Sequence, residues 1–98
     1  MTPFTTTIRT AQVTNAWWIE VEVRGSNTVV AVDAVVGEVA TPLEKKPWGG
    51  WAKSFHVPPG TEVHFVARDA LGQEVRSDQV AWPARGASLN GAPLDTAR

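Results

Sequence analysis

From Ile19 the chain alternates without a break: Ile19, Val21 and Val23 fall on one side, Glu20, Glu22 and Arg24 on the other. A period of two is the signature of a strand with one dry face and one wet face. The pattern returns in residues 62–68, where Val63, Phe65 and Ala67 oppose Glu62, His64, Val66 and Arg68. Turn residues punctuate the chain at Gly25-Ser26-Asn27, Gly37, Pro58-Pro59-Gly60 and Asp69-Ala70-Leu71-Gly72. Further strands are expected over residues 5–13, 28–36, 51–57 and 73–80, with Val30, Val32 and Ala34 inward and Ala31 and Asp33 outward in the second of these. Residues 41–47 lie between prolines, which lack the N–H that a central strand must donate, so they read as a sheet edge or a loop. Short strands separated by frequent turns, with no helical period, predict an all-β fold, an antiparallel β-sandwich of two sheets.

A chain of 98 residues makes one domain. A net charge of −1 supplies no electrostatic reason to bind nucleic acid or an anionic membrane, and no apolar run is long enough to span a bilayer. The absence of cysteine excludes disulfides and thiolate metal sites. The first residues lack the basic-then-apolar order of a signal peptide, so the chain reads as either cytoplasmic or a domain cut from a longer secreted protein, and Met1 before a Thr-rich stretch points to the second. Residues 1–4 are expected to be a disordered start or linker remnant, 5–83 the folded domain, and 84–98 a tail of small and polar residues.

The residues of ordinary catalysis are present without the patterns that chemistry requires. His56 and His64 are not spaced as a metal pair and read as exposed strand residues. No glycine-rich loop opens a helix, and no serine sits in a nucleophile elbow. The carboxylates Glu20, Glu22, Asp33 and Glu44 are candidates for an acid–base pair. Glu20 and Glu22 lie instead on a regular outer strand face, and a small sandwich offers no deep cleft to raise a carboxyl pKa. The expectation is a protein that is not an enzyme, with no metal and no cofactor.

Five tryptophans are the feature left to explain, in a chain with no tyrosine and three phenylalanines. They are more than one thin core needs. Alternation sends Trp17 inward with Ile19 and Trp18 outward with Glu20; both face out only if the strand opens with a bulge at Asn15-Ala16. Trp48 lies in a loop between Pro47 and Gly49-Gly50, where no core face is defined. Trp51 fits core or surface, and Trp82 reads as packing at one end of the sandwich. Exposed indoles offer negative π faces to the slightly positive axial C–H groups of β-linked glucose. Lys45, Lys46, Glu20 and Gln12 are polar groups placed to bond sugar hydroxyls.

The order of these features resembles a family. Asn15-Ala16-Trp17-Trp18 before the alternating strand, Leu43-Glu44-Lys45-Lys46-Pro47-Trp48, and the stretch from Glu62 through Arg68-Asp69-Ala70-Leu71-Gly72 to Val75 are similar to the C-terminal domain of microbial expansins, carbohydrate-binding module family 63. The resemblance covers about residues 5–83. It implies an immunoglobulin-like sandwich that binds cellulose through aromatics mapping to Trp17, Trp18 and Trp48, and here it favours an exposed Trp17. It also implies a preceding double-psi β-barrel that carries wall-loosening activity, so that this domain alone binds without loosening. The family's basic residue upstream of the double tryptophan is replaced here by the stretch Ala11-Gln12-Val13-Thr14.

The sequence therefore predicts a secreted, non-catalytic module for cellulose or related plant cell-wall β-glucan, with Trp17, Trp18, Trp48, Trp51 and Lys45 as candidate binding residues. The rival reading is an Ig-like protein-interaction or spacer domain whose tryptophans contact a neighbour.

Overall fold

Strand β1 (Thr6–Thr10) opens the fold in a computed structural model that describes residues 6–12, 14–25 and 28–93. It is followed by β2 (Ile19–Gly25), β3 (Val29–Val36), β4 (Val39–Pro42), β5 (Glu44–Lys45), β6 (Trp51–Lys53), β7 (Glu62–Asp69), β8 (Glu74–Ser77), β9 (Val80–Ala81) and β10 (Ser88–Pro93). All pairings are antiparallel, and the strands form the two faces of an immunoglobulin-like β-sandwich. One sheet runs β10-β1-β2-β6-β5 and the other β4-β3-β7-β8-β10, so the two are continuous along β10. Ser88 to Asn90 pair with β1, and Gly91 to Pro93 pair with β8.

The expected alternation fills the core. Ile19 and Val21 from β2, Val32 and Ala34 from β3, and Val63, Phe65 and Ala67 from β7 are all essentially inaccessible to water. Trp82 is buried as well, edge-on to Phe65 at 6.3 Å between centroids, and its Nε1–H donates to the Asn15 carbonyl at 2.8 Å. A buried indole needs such an acceptor, and this one ties the end of the sandwich to the turn before β2.

Three expectations are corrected. Val30 is exposed, because the β3–β7 register shifts between Val29 and Ala31 and turns Val30 away from the core. A bulge inserts a residue and resets which side chains face in. The segment expected as one strand over 73–80 divides into β8 and β9, which pair with different parts of β7.

The third correction concerns residues 84–93, which are not a tail. Thr10 exchanges backbone hydrogen bonds with Gly86 and Ala87, and its hydroxyl accepts a further bond from Ala87 N–H. Thr14 Oγ1 donates to Ala84 O, and Arg85 Nε donates to Thr14 O. Leu89 is buried in the core, with Ala84 and Ala87 packed against it. The expected linker remnant at 1–4 and the last residues, 94–98, lie outside the described residues.

The proline-flanked segment is an edge twice over. β4 is the outermost strand of one sheet and β5 of the other. Between them Leu43 turns into the core, and its N–H donates to Val32 O at 2.8 Å.

Candidate functional site

The turn before β2 exposes the first of the indoles. Asn15 and Trp18 exchange backbone hydrogen bonds, leaving Ala16 and Trp17 as the two residues of a tight turn. The Asn15 side chain caps it, accepting from Trp17 N–H at 2.7 Å. A residue at a turn tip is outside the strand and outside its alternation. Trp17 is 64% exposed, and its ring stacks on the imidazole of His56, with centroids 4.2 Å apart and planes 25° from parallel.

Trp18 has the parity of Glu20, Glu22 and Arg24, which places it on the outer face of the β1-β2-β6-β5 sheet. In that face Glu20, Ala52 and Glu44 stand in one cross-strand row. Ala52 is fully buried although it points outward, so the side chains of this layer cover it.

Trp48 reaches the same face from the connection between β5 and β6. Lys46 and Gly50 close that connection through Lys46 N–H to Gly50 O at 2.8 Å, and Gly49 N–H bonds Lys46 O at 2.9 Å. Pro47 and Trp48 are thus the central residues of the turn. Proline presets the backbone at the first of these, and Gly49 takes φ +95°, where a side chain is strained. Trp48 is left 62% exposed.

One carboxylate joins the two rings. Trp18 Nε1–H donates to Glu20 Oε1 at 2.9 Å, and Trp48 Nε1–H donates to Glu20 Oε2 at 2.8 Å. The Lys46 ammonium lies 5.7 Å from the Trp18 ring centroid and 3.2 Å from Glu44 Oε1. Lys53 adds a longer contact to Glu44 Oε2, at 3.8 Å. The hydrogen bond and charge of Lys46, with the charge of Lys53, hold the Glu44 carboxyl below its ordinary pKa.

No protein-family model matches this chain, and no curated protein matches it. Among solved structures it is similar to the apo expansin of Clavibacter michiganensis, with a TM-score of 0.74 and 22% identity over 94% of this chain. The same values hold for a mutant of that expansin solved in complex with cellohexaose. The fold is expansin-related. The chain spans 45% of the length of the expansin chain it matches.

Within this domain the candidate residues separate. Trp18 and Trp48 meet on the outer face of one sheet, both held by Glu20, while Trp17 is exposed on the turn that precedes β2. Trp51 does not join them: it pairs with Val21, faces inward and is 7% exposed, a core residue. Lys45 does not join them either. It stands opposite Trp51, and its ammonium lies 5.4 Å from the Trp51 ring centroid, so its charge sits at the rim of the core. The lysine beside the outer indoles is its neighbour Lys46.

His56 and Glu20 carry roles that their positions in the chain did not assign. His56 lies beyond β6, not within a strand, and backs Trp17. Glu20 shares the parity of Trp18 two residues earlier, the one sequence signal that could have joined them.

Proposed function

We propose that this domain is a non-catalytic carbohydrate-binding module of the family 63 type, which holds cellulose or a related cell-wall β-glucan by stacking Trp18, Trp48 and Trp17 on the faces of its sugar rings. The observation that carries the reading is the pair of outer indoles fixed to one carboxylate. Rings already held in place lose little freedom when a ligand lies on them, which lowers the cost of binding. Water released from the indoles and from the apolar sugar faces supplies the drive. The relative solved with cellohexaose supports a β-glucan as the ligand class.

The same geometry speaks against hydrolysis as the task of this face. A glycosidase acid needs a raised pKa, whereas the Glu44 carboxyl is pushed down by Lys46 and Lys53. In this reading the domain works outside the cell as part of a longer protein with a preceding double-psi barrel.

A pull-down on microcrystalline cellulose tests the proposal. The wild-type protein should leave the supernatant at low and moderate salt. Trp18→Ala and Trp48→Ala should each weaken binding by about 1–3 kcal/mol, the scale of losing one aromatic stacking partner. Wild type remaining in solution would sink the carbohydrate reading. Alanine variants that bind as well as wild type would remove the indoles from the site.

A further inference from the structure

We propose that Glu20 is the positioning residue of the indole platform and that, by consuming both indole N–H groups, it makes the platform read sugar faces rather than sugar hydroxyls. The inference rests on the carbohydrate-binding reading above and names the chemistry of that same site.

An indole has one donor and no acceptor. The donor of Trp18 goes to one oxygen of Glu20 and the donor of Trp48 to the other. Bonds to an ionised acceptor are stronger than neutral ones. Trp18 is anchored by its backbone bonds to Asn15, and Trp48 rides on a separate turn, so no shared backbone element sets one ring against the other. The carboxylate does, and it is itself placed by the β2–β6 ladder, where Glu20 stands opposite Ala52. Gly50 leaves the room for this: a Cβ there would stand 3.1 Å from Trp48 Nε1 and 3.3 Å from Glu20 Oε2.

With both donors spent, neither indole can bond a hydroxyl: Trp48 offers its π face, and Trp18 a half-buried ring with the Lys46 ammonium 5.7 Å from its centroid. Such a surface selects polymers of flat pyranoses with exposed C–H faces and gains nothing from a hydroxymethyl group at C6. Unsubstituted β-1,4-xylan, which lacks that group, should therefore be held as well as β-1,4-glucan.

The test uses the whole chain in three variants. Glu20→Gln keeps the shape but offers one oxygen to one indole and an opposing amide N–H to the other. Glu20→Ala removes both acceptors. Glu22→Gln, one step along the same strand face, is the control. In the free 15N-labelled protein, the indole N–H resonances of two tryptophans should move in both Glu20 variants and stay fixed in the control.

In depletion assays on microcrystalline cellulose and on insoluble xylan, wild type should bind both alike. Glu20→Gln should weaken both about three- to tenfold, the scale of ordering one freed side chain, with an unchanged thermal midpoint. In a Trp48→Ala background, Glu20→Gln should cost less than it does alone. Unmoved indole resonances, undiminished binding, or a cost that adds in full to that of Trp48→Ala would overturn the positioning role. Binding to cellulose but not to xylan would overturn face-only recognition while leaving the platform standing. Wild-type binding to neither polymer would fell the carbohydrate reading, and the resonances of the free protein would still decide whether Glu20 holds the rings.

Discussion

Trp17 and His56 lie ring on ring, 4.2 Å apart, although 38 residues of chain separate them and neither belongs to a strand. The imidazole backs one face of an indole that is 64% exposed, and the Ser54 hydroxyl donates to Trp17 O at 3.3 Å. A stacked pair of this kind contributes about 0.5–1.5 kcal/mol beyond its buried area. His56→Ala should free the Trp17 ring and weaken cellulose binding about two- to tenfold, while leaving the fold intact because His56 is exposed. Binding isotherms with thermal melts check this. An unchanged isotherm would mean that Trp17 is not a contact or does not need its support.

Gly50 lies directly beneath the second exposed ring, and a methyl group there would meet both Trp48 and Glu20 at 3.1–3.3 Å. The indole is the part with room to move, since it stands at the tip of a turn. Gly50→Ala should therefore displace the Trp48 ring by a few tenths of an ångström and weaken binding, but by less than Trp48→Ala, with a thermal midpoint close to that of wild type. Cellulose depletion assays of the two variants side by side measure it. Gly50→Ala binding at wild-type strength would show that Trp48 does not need its present setting.

The two parts of this protein were legible to different degrees, for a physical reason. Alternation in β2 and β7 named Ile19, Val21, Val63, Phe65 and Ala67 as core, because a strand with one wet face writes its burial into the chain at period two. Val30 escaped because a register shift is decided by the partner strand. The segment 84–93 escaped because its attachment runs through backbone groups and the hydroxyls of Thr10 and Thr14, which leave no apolar period. In the site, Trp17 was misplaced by alternation because it sits in a turn. Trp48 and Trp51, three residues apart, part company only at the β2–β6 register. The meeting of Trp48 with Glu20 is a contact across 28 residues. No local pattern encodes it.

Asp69 is a buried carboxylate that organises the β7–β8 hairpin. Its Oδ1 accepts from Leu71 N–H at 3.0 Å and Gln73 N–H at 2.8 Å, and its Oδ2 accepts from Gln73 Nε2 at 3.0 Å. Gly72 takes φ +86° to complete the turn. Hydrogen bonds to a charged group matter more than neutral ones, and a backbone donor left without its acceptor costs further. Asp69→Ala should lower stability by roughly 2–3 kcal/mol while leaving the distant indoles in place. Urea unfolding measures the first. Cellulose binding under native conditions measures the second. A loss of less than about 1 kcal/mol would mean that water replaces these bonds at little cost.

His64 gives the fold a pH dependence of predictable sign. It is half-buried on the outer side of β7, in a shallow cleft with Arg76, Asp78 and Gln79. Burial, and secondarily the charge of Arg76, lower its pKa below the ordinary 6.5. Over the interval between the folded and unfolded values the unfolded chain holds more protons, so stability rises with pH there. The contribution is present in full above 6.5 and is lost as pH falls through the lowered folded value. Urea midpoints at about pH 7.5 and about pH 5 should therefore fall further for wild type than for His64→Gln, which has no proton to gain. Arg76→Ala should shrink the difference without abolishing it, since desolvation is the larger cause. A wild-type midpoint that drops no more on acidification than that of His64→Gln would show that His64 is protonated in the folded protein as readily as in the unfolded chain.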